Sequence, residues 1–370
     1  MKRTIIPTKY EFPPEEVDFI MQNFREILET HAFLTMGKHC KAFEGAFAKY
    51  IGCRYAVSVN SGTGALEIIL RALGIEDWEV IVPTNTFAAT VFAVIRAGGR
   101  PVFADCTEDM TVDPRDVASK ITSKTKVVVT VHVGGLISPH TYKLMEMCRD
   151  KRLYLIEDAA HAHGSMLDGK KAGRFGVAAA FSFFPTKVMT TGEGGMIVTN
   201  DDEIYHKAIL LRDQAKVEGK NYHEEIGYNW RMTEVQALMG IAQLRHIERF
   251  IDRRNEIARI YDEGLAEIGS LSPLKVPSTV RHNFYKYIVF IKGHDPQELQ
   301  RRLKDDYGIN LSGCVYELPC HLQPAFAKFK QGDLRVSEEL CRCHICLPIY
   351  PSLTDEEAHY VVESLKSCLS

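Results

Sequence analysis

The sequence predicts an α/β fold, a mostly parallel sheet sandwiched by helices, followed by a smaller α+β C-terminal domain. Three observations carry that expectation. Short apolar runs alternate with helix-periodic segments over more than a hundred residues, the pattern of right-handed crossovers. The run at 151–158 is apolar enough for a strand buried on both faces, yet it delivers two carboxylates at its C-terminal end, where open α/β sheets place their ligands. The chain of 370 residues is long for one core, since cores stop growing near ~250–300 residues. A large domain over residues 1–250 and a small one over 251–370 are expected.

Along the chain, Pro13-Pro14-Glu15-Glu16-Val17 opens a helix, with Val17, Ile20, Met21 and Phe24 at helical spacing. Beyond the Thr35-Met36-Gly37-Lys38 turn, Phe43, Phe47 and Tyr50 mark a second amphipathic helix. A strand over 55–59 leads into Asn60-Ser61-Gly62-Thr63-Gly64, a small-residue turn that opens an apolar helix. Such a turn leaves unpaired N–H groups at the positive end of a helix, where an anion can approach the backbone. Any tight strand-to-helix turn can look the same, and no Gly-Lys-Ser/Thr comes after it, so it is not a Walker loop. Further strands are expected over 79–83, 101–105 and 126–132, with an apolar helix over 88–97. His132 reads as a packed strand-end histidine.

After Asp158 the chain turns away through His161, His163 and Gly164, and a strand from Ala178 to Phe184 ends abruptly at Pro185. The next cation is Lys187, set between that strand and the turn Thr190-Thr191-Gly192-Glu193-Gly194-Gly195. A lysine held against apolar walls loses hydration, which lowers its pKa and suits it to form a Schiff base. A strand over 196–200 and a helix over 204–212 come next. Thr233 can cap a helix over 234–250, which leaves Asn229 and Arg231 as surface polar groups unless a ligand claims them. Alternating charge over 245–269 reads as an exposed connecting helix. Beyond it come a strand over 285–291, a helix over 295–307 and a closing helix over 354–369. Tyr316 and His321 lie in a proline-ringed loop that can serve packing or a ligand equally.

Composition bounds the function. A net charge of −3, from 45 basic and 48 acidic residues interspersed, gives no reason to expect nucleic acid or an anionic membrane as partner. The basic pair Lys2-Arg3 is followed by a break at Pro7 and no apolar signal core, and no run approaches the ~18 apolar residues of a membrane span. A cytoplasmic protein is expected, with its ten cysteines as free thiols. Cys341-Arg342-Cys343-His344-Ile345-Cys346 has ligand-type residues but no second pair at zinc-site distance, so buried thiols on a strand are expected and no metal.

Taken together, Asp158 at a strand end, His161 three residues later, and Ser182-Phe183-Phe184-Pro185-Thr186-Lys187 ahead of the Thr-Thr-Gly-Glu-Gly-Gly run resemble the sugar aminotransferases of the DegT/DnrJ/EryC1/StrS family. These are pyridoxal 5'-phosphate (PLP) enzymes of the aspartate aminotransferase fold, fold type I. The resemblance covers nearly the whole chain. It implies that Lys187 holds PLP as a Schiff base, that Asp158 keeps the pyridine nitrogen protonated, and that His161 lies against the ring or its 3-oxygen. It further implies that Phe87 stacks on the ring and that Thr63, Gly64 and Ser182 bind the phosphate, Gly64 standing at a position the family varies. Gly227-Tyr228-Asn229-Trp230-Arg231-Met232 is similar to the family's Gly-x-Asn-x-Arg-Met motif, which implies a homodimer in which Asn229 reaches the neighbouring subunit's cofactor. Tyr316, His321 and Arg231 are substrate candidates. The activity implied is transfer of an amino group from glutamate to a nucleotide-linked keto sugar, a 4-keto-6-deoxyhexose aminated at C4, because the Thr190–Gly195 run looks like that of the C4 members. A C3 sugar or cyclitol (keto-inositol) aminotransferase shares much of this pattern. A PLP-dependent sugar dehydratase carries histidine where this chain has Lys187, and a non-catalytic PLP-binding regulator would need DNA-binding features that are absent from the sequence.

Overall fold

The computed structural model describes residues 4–217, 219–330 and 332–369, so the pair Lys2-Arg3 lies outside the described residues. Seven strands form the main sheet, in the spatial order Tyr55–Val59, Gly195–Thr199, Ala178–Ser182, Tyr154–Asp158, Thr125–Val131, Glu79–Pro83 and Arg100–Ala104. All run parallel except Gly195–Thr199, which is antiparallel to both neighbours. The expected α/β class with a mainly parallel sheet is the one observed.

Alternation along the strands explains why both faces are covered. Val80, Val82, Val127, Val129, Ile156 and Ala180 pack with the helices Gly62–Ala72, Ala88–Arg96 and Asp202–Arg212. Their neighbours point the other way. Ile81, Val102, Val128 and Leu155 meet the helix Thr141–Lys151; Ala179, Phe181 and Val198 meet Lys38–Ile51 and the first half of Glu234–Leu265. Each fully buried aliphatic side chain contributes roughly 1.5–3 kcal/mol, so the sheet is a rigid platform.

The reversed strand shapes the carboxyl edge of the sheet. Because Gly195–Thr199 returns directly beside Ala178–Ser182, the intervening turn stays at that edge instead of crossing the sheet. It is tied by Phe183 N to the Gly194 carbonyl (2.8 Å) and by Thr191 N to the Phe183 carbonyl (3.0 Å). Two glycines let the Ser61-Gly62 turn sit against it: a Cβ on Gly62 would lie 2.8 Å from Ser182 Cβ, and one on Gly195 would collide with the Ser61 carbonyl.

A three-stranded antiparallel sheet, Leu271–Pro273, Tyr287–Ile291 and His344–Leu347, packs with the helices Pro296–Tyr307 and Asp355–Leu369 around Tyr261, Val289, Leu303, Ile345 and Val361. Several expectations change here. The charged stretch from 245 is the second half of a single 32-residue helix, Glu234–Leu265, capped by Thr233 and Gln236, and it is not exposed: charge occupies one face while Ile247, Phe250, Ile251, Ile257 and Tyr261 are buried on the other. The boundary expected near residue 250 falls inside it. Tyr285 and Lys286 precede the strand rather than begin it: the chain bends there, and Lys286 N bonds to the Gly134 carbonyl (3.1 Å) outside the sheet. Cys341 ends the helix Arg335–Arg342, and His344 spends both ring nitrogens on backbone, Nε2 accepting from Val315 N (2.9 Å) and Nδ1 meeting the Leu340 carbonyl (2.6 Å). The helix Pro14–Glu29 buries only Glu16 and Ile27, and its stripe residues Val17 and Met21 are exposed.

Glu157 holds the loop behind the sheet edge. Wholly buried, it accepts from Gly173 N (2.7 Å), Phe175 N (2.7 Å), Gly176 N (2.8 Å) and His132 Nε2 (3.0 Å). Burial alone would raise its pKa, but these donors outweigh it and the carboxyl lies below its ordinary 4.5. A depressed pKa contributes stability that is present above 4.5 and is lost as pH falls through the folded value. Glu157→Leu should cost at least about 3 kcal/mol by chemical denaturation, because three amides lose their acceptor, and it should flatten the acid limb of the stability profile. Wild-type stability in that variant would contradict the role given to this carboxylate.

Candidate active site

At the carboxyl edge of the sheet, a cavity of about 390 Å³ is lined by the Ser61-Gly62-Thr63 turn, Phe87, Asp158, His161, Ser182, Thr186-Lys187, Glu193, Tyr285-Lys286 and the segment from Ser312 to Tyr316. The strand over 154–158 brings Asp158 there. Its Oδ2 accepts from Thr90 Oγ1 (2.7 Å) and its Oδ1 from Ala160 N (3.2 Å), while Thr90 is itself bonded to Thr86 Oγ1 (2.8 Å). Burial raises the Asp158 pKa; the two donors and the nearby Lys187 pull the other way.

Lys187 enters from the turn after Ala178–Ser182, its backbone N bonded to the Phe184 carbonyl (3.0 Å). Its Nζ lies 4.7 Å from the centre of the Tyr285 ring. Burial lowers its pKa to about 8 against the opposing pull of Asp158, so the neutral amine is far more accessible near neutral pH than in a solvated lysine. His161 accepts from Gly134 N at Nδ1 (3.3 Å), which places its ring proton on Nε2. Burial, then Lys187 and Lys286, hold its pKa well below 6.5, so the ring is neutral. It packs against Tyr285 (4.4 Å between centroids) and Tyr316 (6.1 Å).

At the turn, Ser61 caps the helix by accepting from Gly64 N (3.0 Å). The amides open to the cavity are therefore those of Gly62 and Thr63, opposite Ser182, and Gly64 stands behind them.

Of the residues singled out in the sequence, Lys187, Asp158, His161, Thr63, Phe87, Ser182 and Tyr316 are brought together. Gly64, Asn229, Arg231 and His321 do not line the cavity. Arg231 forms an ion pair with Asp213. Asn229 is exposed, and its carbonyl accepts from Asn60 Nδ2 (3.2 Å). His321 is buried between Thr84 Oγ1 (2.7 Å) and Glu338 Oε1 (3.1 Å), so its nitrogens are already committed. Residues that the sequence pattern did not single out are Thr90, Glu193 as a cavity group, Tyr285, Lys286 and Ser312. A hydroxyl in an otherwise apolar helix was the one available signal for Thr90.

A desolvated lysine and a buried carboxylate share the carboxyl edge of a mainly parallel sheet with a single reversed strand, and that sheet has the fold type I transferase architecture. Residues 14–366 match the DegT/DnrJ/EryC1/StrS aminotransferase family, and the chain belongs to it. It is an aminotransferase. It is 35% identical to the GDP-perosamine synthase of Escherichia coli O157:H7, covering 93% of this chain and 94% of that one. It is also 35% identical to the dTDP-3-amino-3,4,6-trideoxy-alpha-D-glucose transaminase of Micromonospora megalomicea subsp. nigra, over 91% of each. Among solved structures, Helicobacter pylori PseC, an aminotransferase of pseudoaminic acid biosynthesis, superposes with a TM-score of 0.92 at 26% identity, over 99% of both chains.

The lysine can be tested directly. In the absence of any carbonyl ligand, acetylation of Lys187 by a small anhydride, followed by mass spectrometry, should titrate with a midpoint near pH 8. Asp158→Asn should move that midpoint lower, since the carboxylate is what holds the pKa up. An unchanged midpoint would show that the two groups do not sense each other.

Proposed function

We propose that this chain is a PLP-dependent sugar aminotransferase that takes the amino group of glutamate and delivers it to a nucleotide-linked keto sugar, a 4-keto-6-deoxyhexose aminated at C4. The observation that carries the reading is the pair formed by Lys187 and Asp158 in one cavity. The residues present fit PLP: an amine whose burial favours its neutral form, a carboxylate whose oxygens are already positioned, and a helix N-terminus whose Gly62 and Thr63 line the cavity with Ser182, so close that a Cβ on Gly62 would intrude on Ser182. When bound, PLP supplies the electron sink for breaking the α-hydrogen bond of an amino acid.

The chain's own groups do the rest. Lys187 Nζ would hold the cofactor covalently and, once released as a free amine, would be the base placed to move the proton at the donor's α-carbon. Asp158 would accept from the cofactor's ring nitrogen, with Thr90 and Ala160 fixing its orientation. Gly62 and Thr63 amides and Ser182 hold the phosphate at the positive end of a helix. Phe87, 65% exposed in the single chain, offers one face for stacking, and neutral His161 offers another. The homodimer belongs to the same proposal. Phe33 (81%), Ile226 (78%), Met21 and Leu34 stand exposed on one chain, and Asn229 lies outside its own cavity lining, as it should if it completes the neighbour's site.

Support for a nucleotide-linked sugar comes from the GDP-perosamine synthase and the dTDP-sugar transaminase, one GDP-linked and one dTDP-linked. Position on the ring rests on the Thr190–Gly195 turn. There Thr190 Oγ1 donates to the Phe183 carbonyl (2.8 Å) and Thr191 Oγ1 to the Glu193 carbonyl (2.6 Å), so the threonines shape the turn and Glu193 alone of the run meets the cavity. A transaminase forming a 3-amino sugar is as similar as the GDP-perosamine synthase, so C3 amination stays the competing outcome, with keto-inositol beside it.

Lys187→Ala should lose about 10⁴-fold or more in turnover while still binding PLP reversibly, and Asp158→Asn at least about 10²-fold. Activity retained by Lys187→Ala would remove the basis of the mechanism. Mixing Lys187→Ala chains with Asn229→Ala chains should restore one intact site per heterodimer; a monomer by sedimentation with no complementation would refute shared sites. An assay over dTDP-, UDP- and GDP-linked 4-keto sugars, 3-keto sugars and keto-inositols, with product position read by NMR, should give amination at C4 with glutamate as donor. Amination at C3 or of keto-inositol alone would show the Thr-Thr reading to be wrong.

A further inference from the structure

The cavity holds a second cation that the proposed mechanism does not use. Lys286 lies at its wall, and among the described residues Lys187 and Lys286 are the only lysines or arginines lining it. Lys286 is fixed at both ends. Its backbone N donates to the Gly134 carbonyl (3.1 Å), next to the amide that holds His161, and its Nζ donates to Ser312 Oγ (2.9 Å). The Nζ forms no ion pair with any described carboxylate, although Asp158 and Glu193 share the cavity. The two ammonium groups flank one ring, Lys187 4.7 Å and Lys286 5.2 Å from the Tyr285 centroid. Tyr285 is pinned by Asn283 Oδ1 to its N (2.9 Å) and by Thr186 Oγ1 to its hydroxyl (3.0 Å), so the spacing is built in.

An amino acid reacting at Lys187 must bring an α-carboxylate with it, and a desolvated carboxylate needs a cation or strong donors. Among the described residues no arginine supplies one here. We propose that Lys286, with Ser312, is the carboxylate subsite for the amino donor, so that donors are selected as α-amino acids through this ammonium group. The inference rests on the aminotransferase reading and names the part of the site that chooses the first substrate. Lys286 is a specificity residue, with Tyr285 and Gly134 positioning it.

The variants are Lys286→Met, which keeps the stem and removes the charge, and Lys286→Arg, which keeps the charge. Binding of glutarate to the protein by titration calorimetry should weaken about 10- to 100-fold in Lys286→Met, as expected for a charge-assisted hydrogen bond, and recover in part in Lys286→Arg. With PLP bound, single-turnover conversion to pyridoxamine phosphate should need correspondingly more glutamate in Lys286→Met, while the affinity for the nucleotide sugar stays within about twofold. Unchanged glutarate binding and an unchanged glutamate requirement would overturn the proposal. A loss confined to the sugar half-reaction would also overturn it and assign this cation to the sugar's phosphates. If wild-type protein converts PLP with none of the amino donors, the aminotransferase reading fails on its own, whereas conversion in wild type with no effect of Lys286→Met sinks only the subsite.

Discussion

The catalytic edge depends on one close approach, the Ser61-Gly62 backbone pressed against the ends of the strands Ala178–Ser182 and Gly195–Thr199. Neither Gly62 nor Gly195 can carry a side chain there without moving the opposing chain. That contact sets the helix N-terminus of Gly62–Ala72 over the cavity and fixes the turn that carries Lys187. The proposed anion site and the proposed nucleophile are thus held to one another by backbone, with no flexible side chain between them.

From that edge the electrostatics divide by strand parity. Glu157 and Asp158 are adjacent on one strand and point to opposite faces. Glu157 meets three amides and a histidine and is held low; Asp158 meets two donors and a desolvated cavity and is pushed up. The same strand therefore supplies a carboxylate held by the loop on one side and one turned to the cavity on the other. His161 and Lys187 share the second environment, each shifted toward its neutral form by burial.

Much of the fold was legible because its strands are buried on both faces and read as apolar runs with clear punctuation, as at Pro185 after Ala178–Phe184. Lys187, Asp158 and Ser182 stood at such ends and were readable. Thr90 was hidden inside a helix-periodic apolar run, where one hydroxyl changes nothing in the pattern. Tyr285 and Lys286 merged with the strand Tyr287–Ile291 because nothing in their residue types marks the bend there, where Lys286 N bonds to the Gly134 carbonyl (3.1 Å) instead of a sheet neighbour. His321 and Arg231 carried ligand-type chemistry in sequence, but their partners Thr84, Glu338 and Asp213 come from distant or unpatterned segments. The charge alternation after 245 misled because an amphipathic helix can be highly charged on one face and fully packed on the other.

The position of Tyr55–Val59 has a consequence for how the protein is made. Among the described residues this strand joins the sheet only through Gly195–Thr199, with a single bridge from Val59 to Arg231 on its other edge, and both partners emerge from the ribosome much later. Until then an apolar strand with unpaired edges waits in a growing chain, next to the turn destined to become the anion site. Such late, non-local pairing is slow and exposes the nascent chain to misassociation. Biogenesis of this aminotransferase is thereby most vulnerable at the stage before residue 199 is available, and a chain truncated short of it would carry every preceding strand of the parallel sheet yet lack the one that closes it.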